Sequence, residues 1–273
     1  MSQEIYFLPK PLSLSPIRTL IETSGFALDE IVIFFDFDQT LTQVDIIPVI
    51  NSDGTQKINP KTGAPVENKV LSIRGGDATR SFLNYLNENG IKWYVNTAAG
   101  PGGTSSVATE MAKKTTNIPF SPIMIDPDQK QCFSPKPYVG FLAKTDISYD
   151  GVQIGICNNI ISATFNKEKA CYYVMSKMAV KPKLLIFVDD NAMNVNTVYS
   201  SIKNNLEYPD IHFKGVIYEP YRTAEKEHEG NLELLKENPG IQQITAEYGA
   251  SGGRRRKRKT RVNRKNRRGT RRR

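Results

Sequence analysis

Short runs of β-branched and aromatic residues recur along the chain at Ile31–Phe35, Ile91–Val95, Pro122–Ile125, Leu184–Val188 and His212–Tyr218. Each is short for a helix and apolar enough to be covered on both faces, so each reads as a buried strand. Helix-period segments fall between them, at Ala78–Leu86, Ser105–Lys114, Lys167–Met178 and Asn194–Leu206, with Ala224–Glu237 after the last run. Strands that alternate with helices are joined by crossovers and therefore lie parallel, and a parallel sheet needs helices on both faces. The expected fold class is α/β.

Two stretches break this rhythm. Asn51–Gly76 carries the turn signals Ser52-Asp-Gly-Thr55 and Pro60-Lys-Thr-Gly63 between short apolar pieces, and a hairpin-like insertion is expected there. Asp126–Ala163 carries further Pro- and Gly-containing turns and then the apolar pieces Val152–Ile156 and Ile160–Ser162, which suggest a second small β-rich insertion. A chain of 273 residues can bury one substantial core with such caps, but is short for two full domains. One domain over 1–251 and a separate tail over 252–273 are expected.

The tail stands apart by charge. Of the 37 Lys and Arg in the chain, fourteen lie in Arg254–Arg273, where there is no Asp or Glu; the body keeps 23 basic against 28 acidic residues, a net charge near −5. A segment so charged and so poor in apolar side chains cannot offset its ordering entropy, so it is expected to be disordered. Cys132, Cys157 and Cys171 form no Cys-x-x-Cys pair, and His212 and His228 are the only histidines. Neither a disulfide framework nor a zinc site is indicated; the cysteines read as small buried hydrophobes of a reducing compartment. The first eleven residues lack the charge and apolar run of a secretory signal, and no run of about eighteen apolar residues occurs. A soluble, intracellular protein of cytoplasm or nucleus is expected.

The chemistry lies where two of the apolar runs end. Ile31–Phe35 delivers Asp36 and Asp38, two residues apart and so pointing the same way from an extended chain. Leu184–Val188 runs straight into Asp189 and Asp190. Ligands of open α/β sheets gather at the C-terminal ends of the strands. If these two strands are neighbours, three or four carboxylates converge, and each like-charged pair about 4 Å apart repels by roughly 4 kcal/mol at an effective dielectric of ~20. Such a cluster calls for a cation, and all-oxygen ligation selects Mg²⁺.

Asp36-Phe-Asp-Gln-Thr40 after a hydrophobic strand resembles the first motif of the haloacid dehalogenase-like (HAD) hydrolase superfamily. The other motifs occur in order: Thr97 at the end of Trp93-Tyr-Val-Asn-Thr97, a lysine opening a helix in Phe165-Asn-Lys-Glu-Lys-Ala170, and Asp189-Asp190. Lys167 and Lys169 both fit the third; Lys167 is preferred because in the related pattern the lysine follows Asn and begins the helix. Some members carry another Asp where this chain has Asn194. The stretch from Tyr149 to Lys167 further resembles an uncharacterised, phosphatase-like branch, and the basic tail after Gly252-Gly253 resembles those of many proteins of large DNA viruses, a resemblance that adds a viral or host-cell compartment to the expected locations.

The resemblance implies a Rossmann-like three-layer sandwich with a mainly parallel sheet, and a Mg²⁺-dependent phosphomonoesterase. Asp36 would attack phosphorus to give an aspartyl-phosphate, and Asp38 would protonate the leaving oxygen and later deprotonate water. Thr97 would bond a phosphoryl oxygen and Lys167 would offset developing charge. Mg²⁺ would be held by Asp36, by Asp38 through its backbone carbonyl, and by Asp190, with Asp189 as a ligand or beside one. The alternative is a non-catalytic binding protein of the same fold, attached to nucleic acid, an acidic partner or an assembly through its basic tail, 254–273.

Overall fold

The structure is a computed structural model and describes residues 3–10, 12–125, 144–223, 228–230 and 240–245. Its strands are β1 (Gln3–Leu8), β2 (Ile31–Phe35), β3 (Thr42–Pro48), β4 (Glu67–Ile73), β5 (Lys92–Asn96), β6 (Lys144–Tyr149), β7 (Val152–Cys157), β8 (Ile160–Ser162), β9 (Leu184–Asp189), β10 (His212–Tyr218) and β11 (Ile241–Gln243). Its α-helices are α1 (Ile17–Glu22), α2 (Gly76–Glu88), α3 (Thr104–Ala112), α4 (Lys167–Lys177) and α5 (Ala192–Lys203). Nine strands form one sheet in the order β11-β1-β10-β9-β2-β5-β8-β7-β6. It is parallel from β11 to β8 and turns antiparallel at β7 and again at β6.

The central strands explain why the sheet forms where it does. Along β2, Ile31, Ile33 and Phe35 enter one core with residues of α1, α2 and α3, while Val32 and Phe34 enter the other with residues of α4 and α5. β9 divides in the same way, Leu184, Ile186 and Val188 on one side and Leu185 and Phe187 on the other. All ten of these side chains are fully buried. At roughly 1.5–3 kcal/mol for each large apolar side chain taken out of water, this pair of strands fixes the sheet's centre.

Three sequence expectations need correction. Pro122–Ile125 forms no strand, and the place beside β5 is taken by β8, which arrives from much later in the chain. The first insertion is longer at its start and shorter at its end than 51–76: it is an antiparallel arm in which β3 pairs with β4 from Thr42↔Ile73 to Pro48↔Glu67, and Gly76 already opens α2. The described part of 126–163 is no separate cap, because β6, β7 and β8 extend the main sheet. Residues 126–143 of that insertion, most of the helix expected at Ala224–Glu237, Cys132 and the expected disordered tail over 252–273 lie outside the described residues. Among the described residues no helix is long and apolar enough to cross a membrane.

Candidate active site

β2 and β9 are parallel neighbours paired from Ile31↔Leu184 to Phe35↔Val188, so their C-terminal ends deliver Asp36 and Asp189-Asp190 side by side. The Asp36 amide donates to Val188 O at 2.8 Å, which holds the two ends in register. Beyond β2 the chain goes on to β5 on one side, and beyond β9 to β10 on the other. A crevice opens at such a reversal of strand order.

Oxygen atoms of Asp36, Asp189 and Asp190 all lie within 4.8 Å of one another. Lys167, the first residue of α4, reaches into the group: its Nζ stands 2.5 Å from Asp36 Oδ1 and 2.6 Å from Asp189 Oδ2, and its side chain is 4% exposed. Lys169 turns away and pairs with Asp150 in the β6–β7 turn. Successive helix positions differ by about 100°, so residues two apart cannot both face the sheet.

Asp189 is fully engaged. Besides Lys167 it accepts bonds from the Asn191 amide at 2.9 Å and from Asn194 Nδ2 at 3.0 and 3.2 Å, one to each oxygen. Asp36 keeps Oδ2 free of hydrogen bonds among the described residues. Asn96 at the end of β5 donates through Nδ2 to the Lys167 carbonyl at 2.8 Å, fixing the start of α4 and with it the lysine.

Three carboxylates against the Lys167 ammonium and, beside Asp190, the Arg74 guanidinium leave an excess of one negative charge. Burial is the main force raising the Asp36 carboxyl above the usual range; Lys167 opposes it, while Asp189 and Asp190 add to it. Burial, then Asp189, pushes Asp190 up to about 6. Burial alone would lower the Lys167 ammonium, but Asp36 and Asp189 outweigh it and raise it. Hard oxygen donors with unbalanced charge fit a hard divalent cation. Asp36 and Asp190 have the oxygens to spare for it.

Two expected residues stand outside this group. Asp38 is exposed at the rim, within electrostatic reach of Lys167, and partial desolvation raises its carboxyl. Its carboxylate is not among the clustered oxygens. Thr97 is buried just past β5, with its hydroxyl accepting from the Ala99 amide at 3.2 Å, and makes no hydrogen bond to the carboxylates.

Arg74, between β4 and α2, was not foreseen. It is buried, donates to the carbonyls of Gln39 and Glu219, and stacks over the Tyr218 ring with Cζ 3.3 Å from the centroid. It thereby ties the loop bearing Asp38 to the end of β10. That loop needs holding, since Gln39 adopts a left-handed backbone with φ 59°, unfavourable for a residue with a side chain. Arg74→Met is expected to remove its hydrogen bonds to the carbonyls of Gln39 and Glu219 and, at about 1–3 kcal/mol each, to cost about 2–6 kcal/mol in urea unfolding. An unchanged midpoint and slope would show that the clamp carries no load.

No curated protein and no solved structure matches the chain. A family model described as "Protein of unknown function (DUF2608)" matches residues 77–250, which include Thr97, Lys167, Asp189 and Asp190 and begin after Asp36 and Asp38. With well over half of its length matched, the chain belongs to the DUF2608 family.

Proposed function

We propose that the protein is a phosphomonoesterase that works through an aspartyl-phosphate on Asp36 with Mg²⁺ as its cation, on a Rossmann-like, HAD-type scaffold. The observation that carries this reading is the placement of Lys167 Nζ between Asp36 and Asp189, with Asp190 in the same group, at the C-terminal ends of adjacent parallel strands.

The residues divide the work as follows. Asp36 Oδ2, free of donors, attacks phosphorus in line with the leaving oxygen, forming one P–O bond as the ester P–O bond breaks. Asp38, at the solvent rim with its carboxyl raised, gives its proton to the leaving oxygen. In the second half Asp38, now a carboxylate, takes a proton from water as that water attacks phosphorus. The bond to Asp36 breaks, and inorganic phosphate leaves. Lys167, anchored by Asp189, offsets negative charge as it shifts onto the phosphoryl oxygens. Thr97, buried just past the end of β5, is assigned the hydroxyl that bonds a phosphoryl oxygen. When bound by Asp36, Asp190 and the Asp38 backbone carbonyl, Mg²⁺ supplies the neutralisation that lets an anionic phosphate approach a carboxylate.

The direct test is release of phosphate from a generic aryl phosphate. Turnover is expected with Mg²⁺ and should disappear on chelation and return when the metal is restored. Folded protein that turns over nothing across a broad panel of phosphate esters would sink the reading.

A further inference from the structure

From Asp38 a cleft runs outward between the β3–β4 arm and the loop after β10. Its inner part, about 190 Å³, is bounded by Asp38, Gln39 and Leu71 together with Val44, Tyr221 and Arg222. The outer part, about 620 Å³, shares the last three and adds Asp45, Ile46 and Lys69. The two volumes adjoin at these shared walls, and the outer part falls in the range of ~300–1,000 Å³ usual for ligand sites.

The walls of the cleft carry two cations, Lys69 and Arg222, and two carboxylates, Asp38 at its inner end and Asp45. Outside its tail the chain is near −5, yet Lys69 and Arg222 face the cleft with no carboxylate partner among the described residues. Asp45, the carboxylate of the outer wall, is already occupied by Gln43 and Ser72. Tyr221 is 38% exposed on one side, and Ile46, 59% exposed, lies across the mouth. Paired cations beside an accessible aromatic ring suit a ligand that alternates anionic groups with flat rings. The tail points the same way independently: fourteen cations without one acidic residue match a partner carrying many phosphates. A phosphopeptide, with few phosphates, would gain little from them.

We propose that this cleft receives the nucleotide next to the scissile phosphate, so that the substrate is the phosphorylated end of a single-stranded polynucleotide. The inference rests on the phosphomonoesterase reading of Asp36 and Asp38. The unpaired terminal base stacks on Tyr221, and the following phosphodiester lies against Arg222 and Lys69. Hydrolysis breaks the terminal P–O ester bond; water supplies the hydroxyl to phosphorus and the proton to the sugar oxygen, giving inorganic phosphate and a free hydroxyl end.

The experiment compares the full chain, with Mg²⁺, on single-stranded oligothymidylate carrying a 3′- or a 5′-terminal phosphate, on a serine phosphopeptide and on an aryl phosphate. One of the oligonucleotides is expected to exceed the aryl phosphate about 100-fold in kcat/KM, with an advantage that fades as salt rises. Arg222→Ala and Tyr221→Ala should each reduce oligonucleotide kcat/KM about 10-fold more than they reduce aryl phosphate kcat/KM, mainly through KM. Preference for the phosphopeptide, oligonucleotides no better than the aryl phosphate, or equal losses on both substrates in the two variants would each overturn the proposal. Failure of the parent reading looks different, because then no ester is hydrolysed at all. In that event anisotropy of a labelled, phosphate-ended oligonucleotide still decides the cleft: about 10-fold weaker binding in Arg222→Ala supports it, and equal binding removes it.

Discussion

Asp36→Asn is expected to abolish phosphate release, by about 10³-fold or more in kcat, while leaving the fold at least as stable as the parent's in the absence of divalent cations. The two halves of this result come from different physics. The first follows from chemistry: an amide nitrogen or neutral carbonyl oxygen cannot attack phosphorus as a carboxylate does. The second follows from the charge of the cluster. Asp36 and Asp189 share the ammonium of Lys167, Asp190 lies within electrostatic reach of Lys167 and Arg74, and Asp36 is buried with its carboxyl raised. Replacing it by Asn removes one of the two buried carboxylates that share Lys167, and Lys167 keeps Asp189 at 2.6 Å. The variant should also lose part of the stabilisation that Mg²⁺ gives the parent, since one of its donors is gone. Thermal unfolding with and without Mg²⁺, beside an aryl phosphate assay, reads both halves. Retained turnover would move the nucleophile elsewhere, and a large loss of stability without metal would make Asp36 chiefly a structural partner of Lys167.

The part of the site that was legible in the sequence is the part carried by buried strands. A run such as Ile31–Phe35 has few fates, so its end marks a sheet edge, and Asp36 and Asp38 are placed by that alone. The same holds for Leu184–Val188 and Asp189-Asp190. That these strands are neighbours was assumed, and the pairing of Phe35 with Val188 bears it out. The choice between Lys167 and Lys169 could not be made from spacing, because the helix phase decides it and α4 is buried nearly all round.

What escaped notice was held by single polar groups or by distant pairing. Arg74 lies in no periodic pattern; its value comes from two carbonyls, of Gln39 and Glu219, that meet only in the folded chain. Asn96 reads as an ordinary strand end until its amide is seen on the Lys167 carbonyl. Asn194 stood out only as a departure from an acidic residue. Its amide donates to both oxygens of Asp189, a bond that an ionised Asp could not make and that adds no fourth negative charge. Pro122–Ile125 had the composition of a strand, but proline lacks a donor for the ladder, and Ile160–Ser162 pairs with β5 instead.

Lys167→Met is expected to cost about 3–5 kcal/mol at pH 8, because it leaves the buried carboxylates of Asp36 and Asp189 with no cation. The loss should depend on pH in a definite sense. Asp36 and Asp190 have folded-state pKa values above their unfolded ones, so the folded chain holds protons that the unfolded chain has released, and stability falls as pH rises through that interval. For Asp190 the interval runs from 3.8 to about 6. Lys167 lowers the pKa of both carboxyls, so removing it pushes both further up and extends the fall toward higher pH. The variant should therefore lie closer to the parent at pH 6 than at pH 8. Mg²⁺ should reverse part of the deficit, and more of it at pH 8, because a cation competes with the protons the carboxylates would otherwise keep. Urea unfolding at the two pH values, with and without Mg²⁺, separates this from a simple packing defect. A defect of packing would cost the same at both pH values and be blind to the metal, and that outcome would mean that Lys167 neither balances the carboxylates nor belongs to a cation-binding group.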